Sequence, residues 1–338
     1  MERALVTGGA GFLGSYMADL LVGQGVEVTS ADRRPEGRPS WSGCREFRRR
    51  TVDVTDRAAV AGLVEEVRPD VVFHFAGQSY IDQSWADPAH TYQVNVLGTL
   101  HLLEALRQVA PRAALAFAGS GTEYGRPDLV PTPETAALSP GTPYASSKTA
   151  ADLLCLQYFL GTGLPVFRYR IFGTTGAGKT GDACNDFARQ IARAEHGEGL
   201  PEIRVGNLDK KRDICDVRDA VRAMLLVVER GTPGEAYNIG GGKPREVRGI
   251  LEDLIGMAAR PLRVVRDEML VRPVDEPVHL GDVSKLRELG FTPRIEFRQT
   301  LKDILDHWRS LSPSPPTTES LGARVAESAT GPRAHGST

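Results

Sequence analysis

Short hydrophobic runs alternate with segments of helical periodicity along the first half of the chain. In the first such segment, Leu13, Met17 and Leu20 recur at helical spacing. The pattern predicts strands at 4–7, 26–31, 71–75, 113–118 and 166–172, and helices from Phe12 and over 60–67, 89–109 and 144–160. This alternation predicts an α/β fold, a doubly wound parallel sheet with helices on both faces.

The second half of the chain has a looser pattern. After Phe172, glycines separate short strands from helices near 187–196 and 217–229. We therefore predict a sheet domain over 1–168 and a smaller C-terminal lobe over 169–311, with a segment near 212–240 returning to the sheet. Residues 312–338 are rich in Ser, Pro and Thr, and we expect disorder because they carry little apolar surface to bury.

Composition and charge exclude several classes of protein. The chain is 41% hydrophobic with a formal net charge of -2, which indicates neither a nucleic-acid partner nor an anionic membrane. No apolar run reaches membrane-spanning length and the first residues lack a signal-peptide layout, so we expect a cytoplasmic protein. The four cysteines lie too far apart to indicate a zinc site, and we predict no metal.

A glycine-rich turn joins the first predicted strand to the first helix. Gly8 allows the tight turn, Gly11 lets the backbone approach a pyrophosphate, and Gly14 lets helix and strand pack closely. Unpaired N–H groups at the start of the helix, near Phe12 and Leu13, favour an anion. This strand–turn–helix context predicts a Rossmann-type dinucleotide site.

The end of the second strand indicates which dinucleotide binds. Asp32 lies where a carboxylate hydrogen-bonds the ribose hydroxyls of NAD and repels a 2′-phosphate. Arg33 and Arg34 follow it, and guanidinium groups bind phosphate well. We predict NAD, with NADP as the alternative.

Tyr144 and Lys148 lie one helical turn apart and so share a face of a predicted helix. An ammonium group beside a phenol, near a positively charged nicotinamide, would lower the phenol's pKa towards working pH. Tyr144 would then act as base for an alcohol or as acid for a ketone.

Further motifs extend this pattern through most of the chain. They are Asp53-Val54, the segment 73–77, Asn95, Ser120 and the segment 144–148. With the glycine turn, they resemble the extended short-chain dehydrogenases/reductases. The segments 206–213, 237–239 and 272–275 resemble the group of GDP-mannose 4,6-dehydratases and GDP-4-keto-6-deoxymannose reductases.

The resemblance implies a set of site residues. For catalysis these are Ser120, Tyr144 and Lys148. For the cofactor they are Gly8, Gly11, Phe12, Leu13, Gly14, Asp32, Arg33, Asp53, Val54, Phe75, Ala76, Gly77, Tyr144 and Lys148. For a GDP-linked sugar substrate they are Gln78, Ser120, Gly121, Thr122, Asn185, Asn207, Arg212 and Arg272. It also implies a homodimer through the helices 89–109 and 144–160, and a bracing role for Asn95.

Two positions depart from the group's pattern. Thr122 stands where dehydratases carry a carboxyl group, and Glu123, one step along, would face the other way in an extended segment. Dehydration is therefore disfavoured, because elimination needs a positioned acid. Gly173 replaces an asparagine that touches substrate in the group, so the identity of the sugar stays open.

These observations leave several functions open. The main hypothesis is a C4 epimerase that acts on a nucleotide-diphosphate sugar with a tightly bound NAD. The alternative is an NAD(P)H-dependent reductase of a GDP-linked 4-keto-6-deoxy sugar. Residues 173–180 also satisfy a P-loop pattern, which would indicate a phosphotransferase. A non-catalytic NAD sensor is a further alternative, because this fold does not fix function.

Overall fold

The computed structural model describes residues 1–34, 47–271 and 278–311. The predicted disordered tail and Arg272 lie outside the described residues. The strands are β1 (Arg3–Thr7), β2 (Glu27–Asp32), β3 (Arg48–Thr51), β4 (Val71–His74), β5 (Ala114–Ser120), β6 (Val166–Ile171), β7 (Gly173–Thr175), β8 (Glu202–Val205), β9 (Lys211–Asp216), β10 (Ala236–Ile239), β11 (Pro244–Glu246), β12 (Arg263–Arg266) and β13 (Val278–His279).

The helices lie between these strands. They are α1 (Phe12–Gly23), α2 (Arg57–Val67), α3 (Ile81–Ala86), α4 (Pro88–Tyr92), α5 (Gly98–Val109), α6 (Pro143–Thr162), α7 (Ala183–Glu195), α8 (Val217–Arg230), α9 (Val247–Ile255), α10 (Ser284–Glu288) and α11 (Phe297–Ser310). A π-helical segment, Gln93–Leu97, joins α4 to α5, and 3-10 turns cover Gly121–Tyr124 and Glu268–Leu270. The predicted helix over 89–109 is thus helical throughout but widened in the middle.

The large sheet is parallel throughout and confirms the predicted fold class. Its seven strands run in the order β10-β6-β5-β4-β1-β2-β3. The direction of winding reverses between β1 and β4, and in such sheets ligands bind outside the carboxyl ends of the strands at this point. The glycine turn after β1 therefore opens at the predicted binding edge.

Two hydrophobic layers cover the large sheet. One face packs Met17 and Leu21 of α1 and Met224 of α8 against the sheet. The other packs Val64 of α2 and Leu103 of α5 against Leu5, Leu115 and their neighbours, all of them buried. Helices on both faces explain why the strands read as continuous apolar runs in the sequence.

The C-terminal lobe has its own core. Phe187 and Ile191 of α7, Leu251 of α9 and Leu301 of α11 pack together over β8. Strands β7, β9, β11 and β13 form a small sheet beside it, and β12 pairs with β8. β10 rejoins the large sheet as a parallel neighbour of β6. The division into domains stays a prediction, and its boundary at residue 168 falls inside β6.

One strand of the large sheet is absent from the strands that the sequence pattern predicts. Residues 48–51 form β3, a parallel edge strand beside β2. The sequence of β3 shows no alternation of apolar and polar residues, because the side chains of an edge strand can face solvent. They are held instead by ion pairs, such as Arg48 with Glu27 at 2.8 Å.

Candidate active site

The glycine turn leaves no room for side chains. Gly8 has φ +71°, and a Cβ there would lie 2.5 Å from the backbone nitrogen of Ala76 after β4. A Cβ on Gly14 would lie 2.2 Å from the carbonyl oxygen of Gly8. These contacts bring β1, β4 and α1 together, and they are the physical reason for glycine at both positions.

The start of α1 is left open for an anion. Asp56 and Thr142 cap α2 and α6 with their side chains, whereas the N-cap of α1 is Gly11, which has none. The first N–H groups of α1 are therefore without a side-chain cap, and the helix dipole adds a partial positive charge there. The turn fits a cofactor diphosphate, because its glycines keep side chains out of the cradle.

Asp32 is fixed beside this turn. One carboxylate oxygen accepts a hydrogen bond from the backbone N–H of Ala10 at 3.2 Å, and the other from that of Arg34 at 3.1 Å. Nearby, the backbone and hydroxyl of Thr55, and more weakly the charge of Arg33, lower the pKa of Asp53. Both carboxylates lie at the edge of the sheet where a dinucleotide's ribose and base are expected.

A cleft of about 850 Å³ runs along this edge. Its lining includes every residue predicted to bind the cofactor, and all three predicted catalytic residues. These lining residues are Gly8, Gly11, Phe12, Leu13, Gly14, Asp32, Arg33, Asp53, Val54, Phe75, Ala76, Gly77, Ser120, Tyr144 and Lys148. Gln78, predicted to touch substrate, lines it as well.

Ser120 and Tyr144 form a hydrogen-bonded pair in the cleft. Burial raises the pKa of Tyr144 to about 12; the hydrogen bond with Ser120 acts against this, and Glu123 adds to it. The lowered pKa expected from the sequence is therefore not found for the chain alone. Burial also lowers the pKa of Lys148 to about 8, and its Nζ donates to the carbonyl oxygen of Ala118 at 2.8 Å.

Asn95 braces this group from the π-helical segment. Its Oδ1 accepts from the backbone N–H of Gln78 at 2.8 Å, and its Nδ2 donates to the carbonyl oxygen of Gln78 and to Ser147 Oγ. It thereby connects the segment after β4 to α6, the helix that carries Tyr144 and Lys148. π-helical turns are frequent at functional sites because they re-aim a side chain in this way.

Glu123 points away from the cleft. The 3-10 turn folds its fully buried carboxyl group back on the chain, where Oε1 accepts from the backbone N–H of Ser120 at 2.6 Å. Burial, followed by the charge of Asp152, raises the pKa of Glu123 to about 8. Thr122 stands beside Ser120 instead, with the two hydroxyl oxygens 2.9 Å apart.

Three carboxylates are found among the described residues that line the cleft: Asp32, Asp53 and Asp87. Each already accepts a backbone N–H bond, for Asp87 from His90 at 2.9 Å. These backbone hydrogen bonds fix the three carboxylates in place, and none of the three belongs to the loop that carries Ser120.

The other predicted substrate residues within the described ranges do not line the cleft. Asn185 is buried, and its amide bonds Thr175 Oγ1, Gly176 O and the indole N–H of Trp308. Asn207 is exposed. Gly121 packs against the ring of Phe172, and Thr122 contacts Ser120. Arg212 donates a hydrogen bond to the carbonyl oxygen of Lys211. Their predicted contacts with a sugar nucleotide stay predictions.

Several lining residues were missed in the sequence. Tyr80, His90 and Thr91 follow β4, and Lys179 and Thr180 follow β7. The rule that ligands bind at the carboxyl ends of parallel strands could have found the first three. Lys179 lies within the segment 173–180 that satisfies the P-loop pattern.

The P-loop pattern lacks the local structure that a P-loop requires. Its lysine and threonine should open a helix. Here α7 begins only at Ala183, and the Asp182 carboxylate caps it by accepting from the backbone N–H of Asn185.

Within the described ranges, none of the helices is both long and apolar enough to cross a membrane. The described residues also contain no cluster of three His, Cys, Asp or Glu side chains that could hold a metal ion.

A glycine cradle for a dinucleotide beside a Ser–Tyr–Lys group defines the extended short-chain dehydrogenases/reductases, NAD(P)-dependent enzymes of nucleotide sugars. The family model for GDP-mannose 4,6 dehydratase matches residues 5–304, and the chain belongs to that family. The resemblance stated from the motifs is thus confirmed, and so is the NAD(P) cofactor.

Individual relatives have different activities. The GDP-6-deoxy-D-mannose reductase of Pseudomonas aeruginosa is 33% identical over 91% of this chain and 98% of its own length. A structure of RMD from Pseudomonas aeruginosa with NADPH has a TM-score of 0.79 at 32% identity, covering 92% of this chain and 99% of that one. The Thermus thermophilus UDP-glucose 4-epimerase with NAD has a TM-score of 0.81 at 28% identity, covering 92% and 100%.

Proposed function

We propose that this enzyme reduces the 4-keto group of a GDP-linked 4-keto-6-deoxy sugar with NADPH or NADH. The observation that carries the proposal is the loop after β5, which offers the hydroxyl of Ser120 to the cleft and folds the carboxyl group of Glu123 away from it. Ketone reduction needs a proton donor and a hydrogen bond to the oxygen, whereas elimination of water also needs a positioned carboxyl group.

The protonation state of Tyr144 supports the direction of the reaction. A pKa of about 12 keeps the phenol protonated at neutral pH, as a proton donor to a developing alkoxide requires. The reduced nicotinamide supplies the hydride when bound, and its ring carries no positive charge to lower this pKa. Ser120 orients the ketone oxygen and Tyr144 donates the proton. Lys148 would hold the ribose of a bound cofactor, and its charge would stabilise the phenolate that remains.

The comparisons favour this alternative over the C4 epimerase that was the main hypothesis. The reductase relative is 33% identical, and the epimerase structure is 28% identical. A GDP-linked substrate rests on the same likeness.

We further propose a homodimer through α3, the helical stretch 88–109 and α6. Apolar side chains of these elements are exposed, including Trp85 at 64%, Leu97 at 46% and Leu160 at 73%. Exposed apolar side chains on adjoining helices are typical of interfaces, although single ones also occur on monomers. Sedimentation of the wild type against a Leu97→Glu, Leu160→Glu variant tests the proposal. A dimer that persists in the variant would contradict it.

The proposed reaction is tested with purified enzyme and a GDP-linked 4-keto-6-deoxy sugar. We expect stoichiometric loss of added NADPH or NADH absorbance as the 4-hydroxy product forms. A control with GDP-mannose and no added cofactor should give no reaction. Inversion at C4 without added cofactor would establish an epimerase instead. Loss of water with solvent deuterium at C5 would establish a dehydratase.

A further inference from the structure

The turn 176–181 contributes Lys179, Thr180 and Gly181 to the lining of the cleft and packs against the start of α1. Gly176 packs over α1, because a Cβ there would lie 3.5 Å from the ring of Phe12 and 2.6 Å from Val217. Tyr16 of α1 donates its hydroxyl hydrogen to the carbonyl oxygen of Ala177 at 3.1 Å. The turn is thus held against the start of α1.

Lys179 projects from this turn towards the same point. Its Nζ lies 5.5 Å from the centroid of the Phe12 ring, and Phe12 is the first residue of α1. Both residues line the cleft, together with Gly11 and Leu13. The ammonium group therefore lies over the ring of the first residue of α1, in the same part of the cleft as the uncapped helix start.

The other cations among the described lining residues lie elsewhere. Lys148 is buried and bonded to Ala118. Arg33 and His90 lie close enough to Asp53 for their charges to lower its pKa. A diphosphate carries two negative charges, and a helix start supplies about half a positive charge. Among these lining cations, Lys179 is the one placed to neutralise part of the remaining negative charge of the diphosphate.

The present partners of Lys179 can release it. Its Nζ bonds the carbonyl oxygen of Thr174 and lies 3.4 Å from Asp182 Oδ2. That carboxylate keeps other partners, because Oδ2 accepts from Thr175 Oγ1 at 2.9 Å and Oδ1 from the backbone N–H of Asn185 at 2.8 Å. If Lys179 moved onto a ligand, the Asp182 carboxylate would keep these two hydrogen bonds.

We propose that Lys179 is a direct ligand of the cofactor's diphosphate, and that the turn 176–181 closes over the dinucleotide. The hydroxyls of Tyr80 and Thr180, 3.5 Å apart, connect this turn to the segment after β4 on the far side of the cleft. The P-loop-like sequence thus supplies a phosphate-binding lysine, but to a dinucleotide. The inference rests on the proposed position of the diphosphate at the glycine turn.

The test is the affinity for ADP-ribose, which carries the diphosphate without the nicotinamide, measured by calorimetry. Lys179→Met should weaken binding about tenfold, as expected for one charge-assisted hydrogen bond, and Lys179→Arg should retain most of it. Binding to the wild type should also fall more steeply with added salt than binding to Lys179→Met. Lys302→Met is the matched control, because Lys302 pairs with Asp306 on α11, outside the cleft.

Equal affinity of Lys179→Met and the wild type for ADP-ribose would overturn the inference and leave the proposed function intact. Weaker binding of GDP with unchanged binding of ADP-ribose would also overturn it, because Lys179 would then hold the substrate's diphosphate. Failure of the wild type to bind ADP-ribose would contradict the inference and the proposed cofactor site together.

Discussion

The two walls of the cleft are built on different principles. The wall formed by the turn after β1 and the ends of β2 and β4 consists largely of backbone, with Gly8 and Gly14 in positions that no side chain could occupy. The wall formed by the C-terminal lobe presents side chains such as Lys179 and Thr180. Asn185 does not line this wall, because its amide is buried and bonded within the lobe.

This difference explains why one wall could be predicted in detail and the other could not. A cradle made of backbone N–H groups depends on the local conformation of a short segment, which glycine spacing reports directly. Recognition by side chains depends on where long-range packing points them. The motif likeness of the lobe therefore indicated the family, but it did not indicate which side chains reach the cleft.

The largest effect is expected at the floor between the two walls. Tyr144→Phe keeps the ring and removes the proton donor, so turnover should fall by roughly 10²–10⁴ while cofactor affinity stays unchanged. Steady-state kinetics and a cofactor titration measure the two quantities. The control is Tyr158→Phe on the same helix, whose hydroxyl bonds Glu104 and should not affect turnover. Near-normal turnover of Tyr144→Phe would exclude the proposed acid.

The cofactor wall is tested by adding one methyl group. Gly14→Ala places a Cβ 2.2 Å from Gly8 O, so we expect a loss of roughly 1–3 kcal/mol in the free energy of unfolding and weaker NAD(P) binding. Gly62→Ala in α2 is the matched helical control, because its Cβ would meet no atom within 4 Å. It should stabilise the protein by up to about 1 kcal/mol. Equal unfolding free energies and equal NAD(P) affinities of the two variants would refute the explanation that close packing at Gly14 requires glycine.

The lobe is tested at two asparagines that lie outside the lining of the cleft. Asn185→Ala removes buried hydrogen bonds and should cost about 1–3 kcal/mol of unfolding free energy, whereas exposed Asn207→Ala should change it by less than about 0.5 kcal/mol. Chemical denaturation measures both. A raised KM for the sugar nucleotide in Asn185→Ala, without loss of stability, would mean that Asn185 binds substrate as the family resemblance implied. The proposed difference between the two walls of the cleft would then be wrong.

The smallest effect is expected at Asp32. Its carboxylate should repel the 2′-phosphate of NADPH, so Asp32→Ala should raise the affinity for NADPH relative to NADH by about tenfold, as removal of roughly 1–2 kcal/mol of repulsion predicts. Parallel titrations with both cofactors measure the ratio. An unchanged ratio would indicate that Arg33 and the surrounding backbone set the preference.

The features that depend on local geometry could be predicted from the amino-acid sequence. Strand–helix alternation predicted the parallel sheet, because burial on both faces makes its strands continuously apolar. The glycine spacing predicted the cradle after β1. The four-residue separation of Tyr144 and Lys148 predicted that both share one face of α6, since one helical turn brings them together.

Tertiary structure alone decided where particular side chains point. The 3-10 turn directs the carboxyl group of Glu123 to the N–H of Ser120, Asn185 turns towards Trp308, and Lys179 faces Phe12, far away in the chain. The last two depend on segments that meet only when the chain has folded. In the chain alone, burial also raises the pKa of Tyr144, because the cost of charging a group depends on all the atoms around it.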